Sequence, residues 1–136
     1  MTDPPAHRPA AALADADTMA YAQAGDLKVV RNFVASRATA LGLSRARAEL
    51  LILAVSELAT NTLQHTTGGG RVRVWAGPGR VVCDIVDGGP LRVPGRGMPS
   101  ADMVRGRGLA IVDRVCDGVD IAAVPGGTRV RIWLDL

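Results

Sequence analysis

From Leu27 onward apolar residues return every three to four positions, at Leu27, Val30, Val34 and Ala38, which is the spacing of one helix face. Asp26 stands at the capping position of that helix and Gly42 closes it. Ser44 is placed to cap a second, longer helix, in which Leu51, Val55, Leu58 and Thr62 form a stripe that Leu50, Leu53 and Ala54 widen to nearly all sides. Such a helix is expected to be mostly buried. After Gly68-Gly69-Gly70 the period drops to two: Val72 and Val74 alternate with Arg71, Arg73 and Trp75. Beyond the turn Gly77-Pro78-Gly79, Val81, Cys83 and Ile85 alternate with Val82, Asp84 and Val86, so the two runs predict a β-hairpin. The stretch from Gly88 to Arg105, rich in Pro and Gly, is too long for a plain connection and is a candidate lid. Arg107 to Val115 reads as a short helix, and Val119 to Val124 with Thr128 to Leu134 as a closing hairpin around Pro125-Gly126-Gly127.

Ahead of the first helix, Met19 to Ala24 reads as a short edge strand, and residues 1–18, rich in Pro, Ala and Asp without a period, as a flexible arm. The order of elements predicts an α+β fold of two layers, with helices on one face of a mixed, mainly antiparallel sheet, in a single domain over 19–136. The chain's 136 residues, 48% of them hydrophobic and 21% charged, fit one globular domain of that kind.

Composition removes several chemistries. Lys28 is the only lysine, and Val29 follows it with no glycine pattern before it, so a Walker A phosphate loop is excluded. Cys83, Cys116, His7 and His65 have no zinc-site spacing. The longest apolar run, Leu50 to Val55, is too short to span a membrane, and the first residues lack the basic start of a signal peptide, which points to the cytoplasm. The net charge of +3 is too small to indicate a polyanion partner.

Four short features carry candidate chemistry. Glu57, Asn61 and His65 recur at four-residue spacing along one stripe of the second helix. A carboxylate following so apolar a run needs a partner, a metal or a proton, unless it meets solvent or an arginine at the helix rim. His65 alone suits a helix carboxyl end. Asp87-Gly88-Gly89-Pro90 ends a strand with an acceptor and a turn free of Cβ atoms, although taken singly it is an ordinary turn. Gly106-Arg107-Gly108-Leu109 opens the short helix, where backbone N–H groups can face an anion. Gly126-Gly127-Thr128 is, by itself, a hairpin turn.

In this order the four features resemble the N box and the three G boxes of the GHKL ATP-binding superfamily, shared by gyrase, histidine kinases and mismatch-repair ATPases. The Ser-Glu-Leu-x-x-Asn form at residues 56–61 resembles in particular the anti-sigma factor serine/threonine kinases of bacteria. The resemblance covers about residues 24–136 and implies a Bergerat-type ATP-binding fold. It implies that Asn61 ligates Mg²⁺ bridging the ATP phosphates, and that Glu57 is the base that draws the proton from the attacking hydroxyl. It further implies that Asp87 accepts a hydrogen bond from the adenine amino group, which selects adenine over guanine, and that Gly89 lets adenine approach. Gly106 and Gly108, with Leu109, would wrap the phosphates, while Thr128 supports Asp87 and adenine through water. The loop 91–105 would be the ATP lid, with Arg96, Arg105 or Arg107 facing the triphosphate. The implied partners are a sigma factor and an anti-sigma factor antagonist protein, with room for a homodimer. Two positions depart from the pattern: Leu91 stands where many relatives have a further glycine, and Thr62 where alanine is common.

Arg71, Arg73 and Trp75 share one strand parity, as do Arg129, Arg131 and Trp133. If both sets face away from the helices, three readings compete: a solvated face of stacked arginines and indoles, a protein-docking or dimer face, and a single-stranded nucleic-acid surface. The last leaves the four ordered motifs unexplained. For the domain as a whole, a non-catalytic, nucleotide-gated binding module is the alternative to a kinase. A histidine kinase would need a dimerisation helix pair carrying a phospho-accepting histidine, which this chain lacks.

Overall fold

The computed structural model describes residues 17–65, 68–88 and 109–136. Strand β1 (Asp17–Tyr21) leads through a 3-10 turn (Ala24–Asp26) into helices α1 (Leu27–Ala40) and α2 (Arg45–His65). The chain continues through β2 (Gly70–Gly77), β3 (Arg80–Asp87), α3 (Ala110–Val115), β4 (Gly118–Val124) and β5 (Gly127–Asp135). The strands form one sheet in the order β1-β2-β3-β5-β4, and all four pairings are antiparallel. The expected α+β sandwich is therefore built on an antiparallel sheet among the described residues, with no parallel member.

Both hairpins fall where the period-two runs place them. The edge strand begins at Asp17, two residues inside the segment read as an arm, and ends at Tyr21. Backbone pairing with β2 and an ion pair from Asp17 to Arg37 of α1 hold it in place. The rest of the arm, the lid and residues 107–108 lie outside the described residues.

Asp26 does not cap α1 with its side chain. Its carboxylate accepts instead from the N–H groups of Ala22 (2.8 Å) and Gln23 (3.1 Å), closing the turn between β1 and α1. These bonds, Ala22's first, hold the carboxyl below its ordinary range. Ser44 does cap α2, accepting from the Arg47 N–H at 3.2 Å.

The core lies between the helices and one sheet face. Val30, Val34 and Ala38 of α1 and Leu51, Ala54, Val55, Leu58 and Ala59 of α2 are buried against Val72, Val74, Val81, Cys83, Ile85, Ile132 and Leu134. Each large side chain buried there contributes about 1.5–3 kcal/mol. One expectation fails: Leu53 is 42% exposed, so α2 is buried on one side and not nearly all round. The i, i+3, i+4 stripe outweighs the extra leucines because only one face of the helix has a sheet beneath it.

The opposite sheet face carries the arginines and tryptophans together; Arg71 is exposed, whereas Arg80, Arg129, Arg131 and both indoles are engaged. The register places Arg73, Asp84, Arg131 and Asp120 in one row across four strands. Arg131 holds the fully buried Asp84 with two bonds, Nε to Oδ1 at 2.7 Å and Nη2 to Oδ2 at 2.9 Å, and its guanidinium lies 5.0 Å from the centre of the Trp75 ring. Arg80 stacks on Trp133 at 5.3 Å. The Trp133 indole lies over Gly118, where any Cβ would fall inside the ring.

Candidate functional site

Sheet register and one helix bring the candidate residues to a common end of the sandwich. Tyr21, Gly70, Asp87 and Thr128 are paired in sequence across β1, β2, β3 and β5, so they form one transverse row. This row shares the parity of Met19, Val72, Ile85 and Val130 and thus faces the helices. Residues 57–62 belong to the last turns of α2, which packs on that face.

Two links join helix and row. Thr62 is buried, and its hydroxyl donates back to the Leu58 carbonyl at 3.1 Å. Beside it sits the phenol of Tyr21, only 2% exposed, which also feels the charge of Asp87. Tyr21 reaches this far because Gly70, its neighbour on β2, has no side chain: a Cβ there would lie 2.8 Å from the phenol oxygen.

Asn61 is next to Thr62 on α2. Its Nδ2 is buried and has no hydrogen-bond partner among the described residues. A buried amide donor without an acceptor is costly, about 1–3 kcal/mol, and fits a place where an anionic oxygen belongs. The other end of the amide is the hard oxygen that Mg²⁺ accepts. No cluster of three or more His, Cys, Asp or Glu side chains exists among the described residues, so a cation here would rely on Asn61 together with ligand oxygens. Glu57, one turn earlier, is half-buried, and no hydrogen bond or ion pair engages it among the described residues. The arginine partner of a purely structural rim position is therefore missing among those residues.

Asp87 ends β3 in the wall of an open cavity of about 430 Å³, which Tyr21, Gly70, Arg71 and Gly88 also line. Glu57, Asn61 and Thr128 are not among its walls. Leu109 is 4% exposed and packs into the core ahead of α3, so its side chain anchors that helix and only its backbone could meet a ligand. Gly89, Arg105, Gly106, Arg107 and Gly108 lie outside the described residues, as do Arg96 and the lid. Tyr21 and Gly70 were not recognised from sequence. The signal was the alternation of Met19 and Tyr21 opposite a glycine run.

Burial pushes the Tyr21 hydroxyl up to about 12, with the Asp87 charge adding to it and Thr62 opposing. The folded chain thus keeps a proton that an unfolded tyrosine releases near pH 10. The stabilisation is complete below pH 10 and is lost as pH rises from 10 toward 12. Unfolding free energies of wild type and Tyr21→Phe, measured in urea from pH 9 to 11.5, are expected to converge by roughly 2 kcal/mol over that range. Tyr21 is the only tyrosine, so no other phenol contributes to the difference.

None of the described helices is long and apolar enough to cross a membrane. In structure, 22 solved chains match. One is the crystal structure of the RsbU and RsbW domains of Rv1364c from Mycobacterium tuberculosis, with a TM-score of 0.67 and 19% identity, over 89% of this chain and 32% of that one. The protein thus spans about a third of that neighbour's length, and the likeness is one of fold. Among curated proteins no sequence match is found. The sequence profile of the histidine kinase-like ATPase domain matches residues 20–134, which take in the last two residues of β1, Glu57, Asn61, Asp87 and Thr128. The chain belongs to the histidine kinase-like ATPase domain family.

Proposed function

We propose that this domain is a cytoplasmic anti-sigma factor that binds ATP with Mg²⁺ and phosphorylates a serine or threonine of an antagonist protein. The observation that carries the nucleotide part is the buried Nδ2 of Asn61, without a partner among the described residues, one helix turn from a Glu57 that none of those residues engages and on the same end as Asp87. The narrower assignment rests on the Ser-Glu-Leu-x-x-Asn form of residues 56–61, and the fold shared with an RsbW domain supports it.

In this reading Asn61 holds Mg²⁺ through its amide oxygen, and the bound ion neutralises charge on the triphosphate. Asp87 selects adenine, because its carboxylate only accepts and guanine offers a carbonyl at the corresponding edge. Thr128, its row neighbour, supports that carboxylate. Gly89, Gly106 and Gly108 provide backbone access, and Arg105 or Arg107 supplies positive charge beside the phosphates. Glu57 takes the proton of the attacking hydroxyl.

Calorimetric titration with ATP and GTP, with and without Mg²⁺, tests the nucleotide part. Wild type is expected to prefer ATP and to lose affinity when Mg²⁺ is withheld. Asp87→Asn places an amide donor against the adenine amino group and is expected to weaken ATP by about 10- to 100-fold. Equal affinity of wild type for ATP and GTP would remove Asp87 from the selecting role.

A further inference from the structure

We infer that Tyr21 is the positioning residue for Asp87, a role that rests on the nucleotide-binding reading above. A carboxylate that must present one oxygen to an incoming N–H group needs its other lone pairs held, or it will rotate. Thr128 flanks that carboxylate on one side of the row, and on the other side, across Gly70, stands the Tyr21 hydroxyl. Strand pairing puts Tyr21 and Asp87 on either side of Gly70, in one row and on one face. The missing side chain at Gly70 leaves the lane through which the phenol crosses β2.

The hydroxyl is buried in that lane and meets no partner at full hydrogen-bond geometry. On its helix side it faces Thr62, whose own proton is committed to the Leu58 carbonyl. On its sheet side it faces the Asp87 charge. Burial keeps the phenol protonated well above neutral pH, so it stands as a permanent donor between two acceptors. A neutral donor beside Thr62 becomes a charge-assisted one when it turns to Asp87. The departure at Thr62 thereby acquires a purpose: it sets a polar neighbour beside the phenol without engaging it, and so leaves the hydroxyl available to Asp87.

Tyr21→Phe removes this one atom and keeps the ring. It is expected to weaken ATP by about 3- to 10-fold while leaving GTP affinity within twofold of wild type, so that selectivity shrinks. A packing role alone would leave both nucleotides as in wild type, and a general distortion would weaken both alike; either result overturns the inference. As a second measurement, the wild-type chain grown with 3-fluorotyrosine has a single resonance, since Tyr21 is the only tyrosine. That resonance is expected to shift on saturation with ATP, and its remaining fixed overturns the inference. If wild type itself shows no preference for ATP, the nucleotide-binding reading fails with it. If wild type prefers ATP and Tyr21→Phe matches it, the Tyr21 role alone fails.

Discussion

Arg131→Met is expected to destabilise the fold by about 3–5 kcal/mol, because it leaves a fully buried carboxylate without its partner. Asp84 lies on the sheet face that has no helix over it among the described residues, and it is nonetheless inaccessible to water. Its cover is made by neighbours on adjacent strands: Arg131 from β5 crosses over it toward Trp75 on β2. Hydrogen bonding to Asp84 raises the guanidinium's proton affinity further, so Arg131 keeps its charge. Methionine retains much of the aliphatic stem but neither bond. Urea unfolding of three variants separates the causes. Arg131→Lys keeps a charge but loses the two-pronged geometry, and is expected to fall between wild type and Arg131→Met. The double variant Asp84→Leu with Arg131→Met removes both charges and is expected to recover most of the loss. If Arg131→Met costs under about 1 kcal/mol, water reaches Asp84 and the burial argument is wrong.

The same pair shows what could be read from the chain and what could not. Alternation put Arg71, Arg73 and Trp75 on one face of their strand and Arg129, Arg131 and Trp133 on one face of theirs, because a strand's side-chain period fixes parity; that the two faces coincide follows only from the register. It could not show that Asp84 of the intervening strand would capture Arg131, since that depends on register between strands 47 residues apart. Likewise Ser44 was legible as a cap from its position, whereas Asp26 was diverted to the β1 turn by N–H groups that only the folded chain brings near. Glu57, Asn61, Asp87 and Thr128 stood out as candidates because order and spacing along the sequence carry the resemblance. Tyr21 was not, because its part in the site depends on a glycine two strand ends away and on a helix packed above it. Leu53 misled for a related reason: hydrophobicity marks what can be buried, and the single sheet below α2 decides what is.

Glu57→Ala is expected to reduce phosphoryl transfer to the antagonist protein by about 10²- to 10⁴-fold, the range for losing a positioned base, while ATP affinity changes little. The separation of the two effects is what the geometry requires. Glu57 is half-buried and unengaged among the described residues, so removing it strands no partner and creates no buried unpaired group. Asn61 is the opposite case: in the proposed reading its amide holds the cation, and Asn61→Ala should weaken Mg²⁺-dependent ATP binding itself. Glu57→Gln keeps the shape and the hydrogen-bonding reach but cannot take a proton at neutral pH, so it should fail as Glu57→Ala does. Transfer of labelled phosphate from ATP, followed alongside calorimetric ATP binding, distinguishes the possibilities. Full transfer in both Glu57 variants removes this carboxylate from the role of base and leaves positioning by the site as the source of catalysis. ATP binding by wild type with complex formation but no phosphoprotein points instead to a nucleotide-gated binding module, in which Asn61 and Asp87 sense ATP and Glu57 has nothing to deprotonate.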